Sequence, residues 1–320
     1  LPSVVGFTKG EGIEVVVADN SSTDDSIDFL QKNYPSVHLI LLPQNFGYAE
    51  GYNKALALID AEYVVLLNSD VEVTKGWIQP VIDYFDTHED VAALQPKLLA
   101  QRNKTHFEYA GASGGFIDKY GYPFCRGRLF DDLEEDKHQY DRVIDIFWAT
   151  GACLAIRRKD YFEAGGLDAS FFAHMEEIDL CWRLNARGRR VVCLPTSIVY
   201  HVGGATLSET SPHKTFLNFR NNLLMIYKNM PQEQLKKVFR IRWFLDYLAA
   251  FQMLCSGKRK NAKAVVRARR EFQQIRPDYK SVRQENLIKT TKTSIATIYS
   301  KSLLWSFYIR GKKTFGQLDF

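Results

Sequence analysis

Apolar and polar positions along the first ninety residues follow two alternating rhythms. Short β-branched runs recur at 13–18 (IEVVVA), 37–42 (VHLILL) and 63–68 (YVVLLN). Between them lie stretches with helical spacing: 25–34 (DSIDFLQKNY), 52–59 (YNKALALI) and 77–88 (WIQPVIDYFDTH), the last read as a helix despite Pro80. The opening LPSVVGFTKG is also read as a helix. Apolar strands alternating with helices at this interval predict βαβ units and a mostly parallel sheet flanked by helices, an α/β fold. In such sheets ligands gather outside the carboxyl ends of the strands. Asp19 and Asp70 both fall there.

From 100 to 145 the pattern weakens, with Gly114-Gly115 and an acidic run over 131–136, and long loops with short irregular strands are expected. Order returns with a predicted strand over 146–158 (IFWATGACLAIRR), a helix over 176–188 (EEIDLCWRLNARG) and a strand over 190–195 (RVVCLP).

Composition adds limits. The 320 residues are 46% hydrophobic and 25% charged, too apolar for a disordered or fibrous chain. No apolar run approaches the ~20 residues of a spanning helix, and no secretory signal pattern is present. Five cysteines without a CxxC pair suggest neither a zinc ribbon nor a disulfide framework, and point to a reducing compartment. The net charge of +5 hides a division. Residues 221–320 hold 21 Lys and Arg against 6 Asp and Glu, leaving 21 against 31 in residues 1–220. The reading is a body over 1–230 and a basic, amphipathic helical extension over 231–320, whose partner is anionic.

Within that extension, 236–255 (KKVFRIRWFLDYLAAFQMLC) carries Phe239, Trp243, Phe244, Leu248, Phe251 and Leu254, and the basic 257–272 follows. A basic, aromatic-bearing helix lies well in a bilayer interface, where each Lys or Arg near anionic lipid adds about 1 kcal/mol. Contact with a membrane surface through 236–272 is therefore expected. The competing reading is a helix packed on the body with a solvated basic face. Nucleic acid is not expected, since no recognised module accompanies the charge.

Four acid-bearing or histidine-bearing segments are chemical candidates. Asp19, with Asn20 and Ser22 beside it, follows a buried strand and can accept hydrogen bonds from a nucleobase or ribose; the alternative is an N-cap before the next helix. Asn68-Ser69-Asp70 closes another strand and can hold a divalent cation against a diphosphate, since Mg²⁺ takes only one or two protein carboxylates; the alternative is a turn. Glu176, Asp179 and Arg183 share a helical face, where Asp179 and Arg183 can form an ion pair. The adjacent Glu176 and Glu177 are harder to explain that way, because crowded acids raise one another's pKa and suit a general base. His201 is a metal or phosphate ligand, or a structural histidine.

Taken in order, IEVVVADNSSTDDS (13–26), NFGYAEGYN (45–53), YVVLLNSD (63–70), ATGACLAIRR (149–158), FFAHMEEIDLCWRLNARG (171–188) and YHVGG (200–204) resemble the family 2 glycosyltransferases of GT-A fold. The likeness covers roughly 1–230 and is best to the bacterial rhamnosyltransferase-like branch that builds surface polysaccharide. It implies that Asp19 contacts the base or ribose, and that Asn45, Gly47 and Asn53 lie in the loop lining the nucleotide pocket. Asn68-Ser69-Asp70 takes the place of the DxD-like motif, with Asp70 the metal ligand and Asn68 acting through water or sugar. Gly151 and Ala152 line the donor sugar. Glu176-Glu177 occupies the acidic pair whose second member, here Glu177, is the expected base, with Glu176 and Asp179 left as alternatives. His201 approaches the metal or diphosphate.

The implied activity is metal-dependent (Mn²⁺ or Mg²⁺) inverting transfer of a hexosyl or rhamnosyl group from a UDP- or dTDP-linked donor. The acceptor is a saccharide or lipid-linked hydroxyl, reached at the inner face of the cytoplasmic membrane. The family's opening strand is expected to be missing from this chain, which starts in what reads as the first helix. That gap favours an alternative function, a catalytically silent nucleotide-sugar-binding partner of other transferases. An oxidoreductase is disfavoured because no GxGxxG follows the first visible strand.

Overall fold

The computed structural model describes residues 1–203 and 211–320, so Gly204 of the YHVGG segment lies outside the described residues. In chain order the elements begin with α1 (Pro2–Phe7), β1 (Val16–Asp19), α2 (Ser26–Asn33), β2 (His38–Leu41), α3 (Gly47–Ala57), β3 (Tyr63–Leu67), β4 (Val71–Val73), α4 (Gln79–Thr87) and β5 (Val91–Ala100). A run of short strands follows: β6 (Asn103–Phe107), β7 (Gly115–Asp118), β8 (Pro123–Cys125), β9 (Arg128–Leu129), β10 (Asp132–Leu133) and β11 (Ile144–Asp145). Then come β12 (Cys153–Arg157), α5 (Arg158–Ala164), α6 (Glu176–Ala186) and β13 (Arg190–His201). The last part holds α7 (Pro212–Asn229), α8 (Gln232–Cys255), α9 (Arg259–Ile275), α10 (Lys280–Ile288) and β14 (Ile298–Tyr299).

Strands β13, β5, β12 and β3 run side by side in a seven-stranded sheet, with β3 at one end of the order. β5 and β13 pair in parallel, and β12 runs antiparallel between β3 and β5, so three of these four strands share one direction. Alternate residues serve two cores: Cys153 and Ala155 of β12 join one cluster, under α4, and Leu154 and Ile156 join the other, under α6. Apolar side chains on both faces are what a sheet covered on both sides requires. Among the described residues β1 and β2 pair only with each other, as a separate parallel sheet.

Several boundaries differ from the sequence reading. α3 starts at Gly47, five residues ahead of the predicted helix, where Gly47 takes φ +75° and its amide donates to the Asn45 side chain. Pro80 sits in the first turn of α4, where its missing N–H removes nothing. The strand expected over 146–158 begins only at Cys153, because 149–152 forms a turn. β5 has no counterpart in the reading. It is buried almost throughout, yet contains Gln95, Pro96 and Lys97. Pro96 lies opposite Leu194, where the β13 register shifts, so its absent donor breaks no ladder bond that a regular strand would need.

The basic C-terminal part is helical from 232 to 288 but does not stay apart. α9 packs on α7 and α8, and the chain then returns to lay β14 beside β7. Phe315 and Phe320 finish against Phe116 and Phe124. Among the described residues no helix is long and apolar enough to cross a membrane.

Candidate active site

Backbone pairing brings the candidate residues together in three groups around the strand ends. In the first, β1 delivers Asp19, buried, whose carboxylate accepts the Ser22 amide at 3.0 Å. Asn20 next to it ties two loops: Nδ2 donates to Asn45 Oδ1 (3.2 Å) and the Gly47 carbonyl (2.9 Å), and Oδ1 accepts the Phe46 amide (2.9 Å). Asn53 stands elsewhere. Its side chain is engaged with Tyr161, Leu167 and Glu50.

The second group is set by the β4–β13 ladder, which pairs His201 with Val71 and so places Asp70 beside the imidazole. His201 Nε2 lies 3.2 Å from Asp70 Oδ1, and Nδ1 lies 3.2 Å from Glu108 Oε1. Burial opposes charge on this ring, but Glu108 and Asp70 outweigh it and hold the imidazole's pKa above its ordinary value. Glu108 is buried and had no sequence signal. It sits in a segment read only as irregular, and its partner is far along the chain. Gly203 closes the group at φ +67°, where a Cβ would stand 2.9 Å from Glu108 Oε1.

The donor set suits a divalent cation. Asp70 Oδ1 and His201 Nε2 are separated by nearly the distance of about 3 Å that neighbouring donors take around a six-coordinate Mg²⁺-sized ion. Glu108 behind the histidine is placed as the orienting carboxylate such ligands usually have, and among the described residues Nδ1 has no well-aligned hydrogen bond. A second cluster, Asp136, His138 and Asp141, surrounds the buried Lys97 ammonium, which already neutralises the two acids.

The third group lies at the N-terminus of α6. The turn before it holds Phe172, His174 and Met175 at φ +63°, +71° and +77°. Left-handed backbone at non-glycine residues costs about 1–3 kcal/mol each and persists where surroundings impose it. The turn aims Glu176 inward, buried, and leaves Glu177 partly exposed. Burial raises the Glu176 pKa well above the ordinary carboxyl value, and Glu177 and Asp179 add to it. Burial raises Glu177 as well, opposed by backbone amides that include Gly151. One oxygen of each, Oε2, has no hydrogen-bond partner among the described residues.

Gly151 and Ala152 join this third group to the strand ends. The Asn68 amide donates to the Ala152 carbonyl at 3.0 Å. The Tyr48 hydroxyl donates to the Gly151 carbonyl at 2.8 Å, and a Cβ on Gly151 would meet that hydroxyl at 2.5 Å. Ser69 is exposed in the turn between Asn68 and Asp70. Asp179 differs from its neighbours: wholly enclosed, it pairs with Arg183 (2.9 Å) and Lys228 (2.8 Å) and accepts from Asn229 (2.7 Å).

Residues 3–162 match the sequence model of glycosyl transferase family 2. Over 220 residues the chain is 28% identical to the N-acetylglucosaminyl-diphospho-decaprenol L-rhamnosyltransferase of Mycobacterium tuberculosis, spanning 63% of this chain and 70% of that one. It is 23% identical over 163 residues to the rhamnosyltransferase WbbL of Escherichia coli K12, spanning 49% of this chain and 61% of that one. Among solved structures, GalNAc-T7 with UDP, GalNAc and Mn²⁺ superposes with a TM-score of 0.60 at 15% identity, covering 96% of this chain and 52% of that one. That likeness is one of fold, and the fold is GT-A. The sequence match over residues 3–162, half of the chain, shows the family: the chain belongs to the family 2 glycosyltransferases.

Proposed function

We propose that the protein transfers a hexosyl or rhamnosyl group, with inversion, from a UDP- or dTDP-linked donor to a hydroxyl of a saccharide or lipid-linked acceptor in bacterial surface polysaccharide synthesis. The observation that supports this best is Glu177: a partly exposed residue of raised pKa, set against Gly151, with one buried oxygen that has no partner among the described residues. Asp19, with Asn20 and Ser22, receives the base and ribose, beside the Asn45–Gly47 loop. Asp70 and His201 hold the divalent cation, Mn²⁺ or Mg²⁺, which when bound supplies positive charge beside the leaving diphosphate. Asn68, Ser69, Gly151 and Ala152 line the donor sugar. Asn53 serves by fixing α3 to the 161–167 segment rather than by touching nucleotide.

Glu177 accepts the proton of the acceptor hydroxyl. The oxygen attacks the anomeric carbon from the face opposite the diphosphate, whose bond to that carbon breaks with the electron pair leaving on phosphate oxygen. Glu176 is more deeply buried, and that burial favours its protonated form. Asp179 anchors α6 and takes no part in proton transfer.

Calorimetry on the full chain with UDP, dTDP and GDP, with and without Mn²⁺, tests this reading. One nucleotide is expected to bind in a metal-dependent way, and Glu108→Gln to weaken that binding about 10–100-fold through the loosened histidine. Equal binding with and without Mn²⁺ would remove the metal assignment. Metal-dependent binding without turnover of any donor would favour the silent assembly partner instead.

The acceptor is taken to be membrane-borne, at the cytoplasmic face, because α8 presents an apolar stripe. Trp243, Phe244, Tyr247, Leu248, Phe251 and Leu254 are exposed, while Leu235, Val238, Arg242, Asp246 and Ala250 face inward. Exposed Lys236, Lys237 and Arg240 precede the stripe, and Lys258, Arg259, Lys260 and Lys263 follow it. Contiguous apolar surface rimmed by one sign of charge fits an anionic bilayer. The full chain is expected to sediment with phosphatidylglycerol-containing vesicles, more weakly at high salt. Phe244→Glu with Phe251→Glu should release it. Equal partition into neutral and anionic vesicles would sink the electrostatic part.

A further inference from the structure

Asn221, on α7, is wholly buried, and its side chain is directed at the turn that precedes the acidic pair. Nδ2 lies 2.9 Å from each of three backbone carbonyls, those of Phe171, Ala173 and His174. The amide orientation is fixed from the other side, where Oδ1 accepts Arg220 Nε at 2.9 Å. Arg220 also reaches the Ser170 carbonyl (3.0 Å) and pairs with Glu271 of α9 (3.0 Å). Asn222 completes the run, donating to the Gly121 carbonyl at 2.7 Å and approaching Met175 Sδ at 3.8 Å.

These contacts converge on a segment that the backbone alone would not hold. Phe172, His174 and Met175 are all left-handed without being glycine. Such residues need external restraint, and within the turn only the Phe171 side chain is deeply buried, Phe172 being 56% exposed. The restraint comes from α7, three carbonyls at a time. The next two residues are Glu176 and Glu177.

We propose that Asn221 is a positioning residue for glycosyl transfer: its amide holds the 171–175 turn in its left-handed course and so sets where the Glu177 carboxylate meets the acceptor hydroxyl. This rests on the reading of Glu177 as base. A group displaced by about 1 Å from its working position can lose on the order of 100-fold in rate, so the effect belongs in kcat rather than in nucleotide affinity.

Asn221→Asp keeps the size and the oxygen that accepts Arg220, but turns a donor into an acceptor facing three carbonyl oxygens. Asn221→Ser removes the reach without adding charge. Both are compared with the unaltered chain in three measurements: UDP and dTDP affinity with Mn²⁺; turnover of dTDP-rhamnose and UDP-glucose with a short-chain N-acetylglucosaminyl-diphospho-prenol; and amide hydrogen exchange over 170–176. The expected result is kcat lower by about 100-fold, nucleotide affinity within about twofold, and exchange over 170–176 faster by at least about tenfold with the other helices unchanged. Unchanged kcat, nucleotide affinity falling in step with kcat, or exchange rising throughout the molecule would each overturn the proposal. If the Asp variant does not fold, the Ser variant decides by the same criteria. If the unaltered chain turns over neither donor, the transferase reading fails on that point. Exchange over 170–176 then still decides the clamp, and no change in the variants would overturn it.

Discussion

Glu177→Gln is expected to lower transfer by about 10²–10⁴-fold, the usual worth of a positioned general base, while leaving nucleotide affinity within about twofold. The substitution preserves size and removes only the capacity to accept a proton. Glu177 is the more exposed member of the acidic pair, and Glu176 is buried beside it. Glu176→Gln should therefore retain more activity. It should also change stability with a definite sign. The folded state holds the Glu176 proton to higher pH than the unfolded chain, whose glutamate titrates near 4.5. That contribution is fully present below about 4.5 and is lost as pH rises towards the raised folded-state value. Glutamine cannot ionise, so the melting-temperature gain of Glu176→Gln should widen as pH rises above about 4.5. Transfer within tenfold of normal in Glu177→Gln, or loss of nucleotide binding with it, would reassign the base.

Asp179→Ala should be damaging for a different reason. Asp179 is 0% exposed and faces Arg183 and Lys228, both buried, besides Asn229. Removing one partner of a buried ionic set strands the others and costs about 3–5 kcal/mol, against a total stability of about 5–15 kcal/mol for folded proteins in general. Lys228 keeps Asp168 at 2.6 Å, and Arg183 keeps the Gly166 carbonyl at 2.7 Å, so the loss stops short of complete unfolding. Thermal denaturation should show a fall of about 4–7 °C. A melting temperature within a degree or two of the unaltered chain would show that this network carries little stability.

What the sequence makes legible follows the range of the physics involved. β1, β2 and β3 are readable because β-branched runs bounded by polar residues are local signals. α6 is readable because its acids and leucines repeat with helical spacing. β5 is not, because a strand buried on both faces carries no alternation, and Gln95, Pro96 and Lys97 break its apolar run. The same divide runs through the site. Asp19, Asp70, His201 and Glu176-Glu177 lie in compact segments. Glu108, Tyr48 and Asn221 matter only through partners that the fold brings from far along the chain. The basic tail was legible as charge but not as placement: Arg242 and Arg269 are buried against Asp246, so part of that charge is internal.

The separate β1–β2 sheet has a consequence for affinity. Two strands alone are marginally stable, α2 beside them has no buried residue, and the Asn20 side chain ties them to the Asn45–Gly47 loop. Any fall in the share of molecules with Asp19 in place raises the apparent dissociation constant for nucleotide to the intrinsic one divided by that share. A substitution that stiffens 16–41 without touching the pocket tightens nucleotide binding, and the nucleotide, once bound, raises the melting point of that lobe more than that of the large sheet.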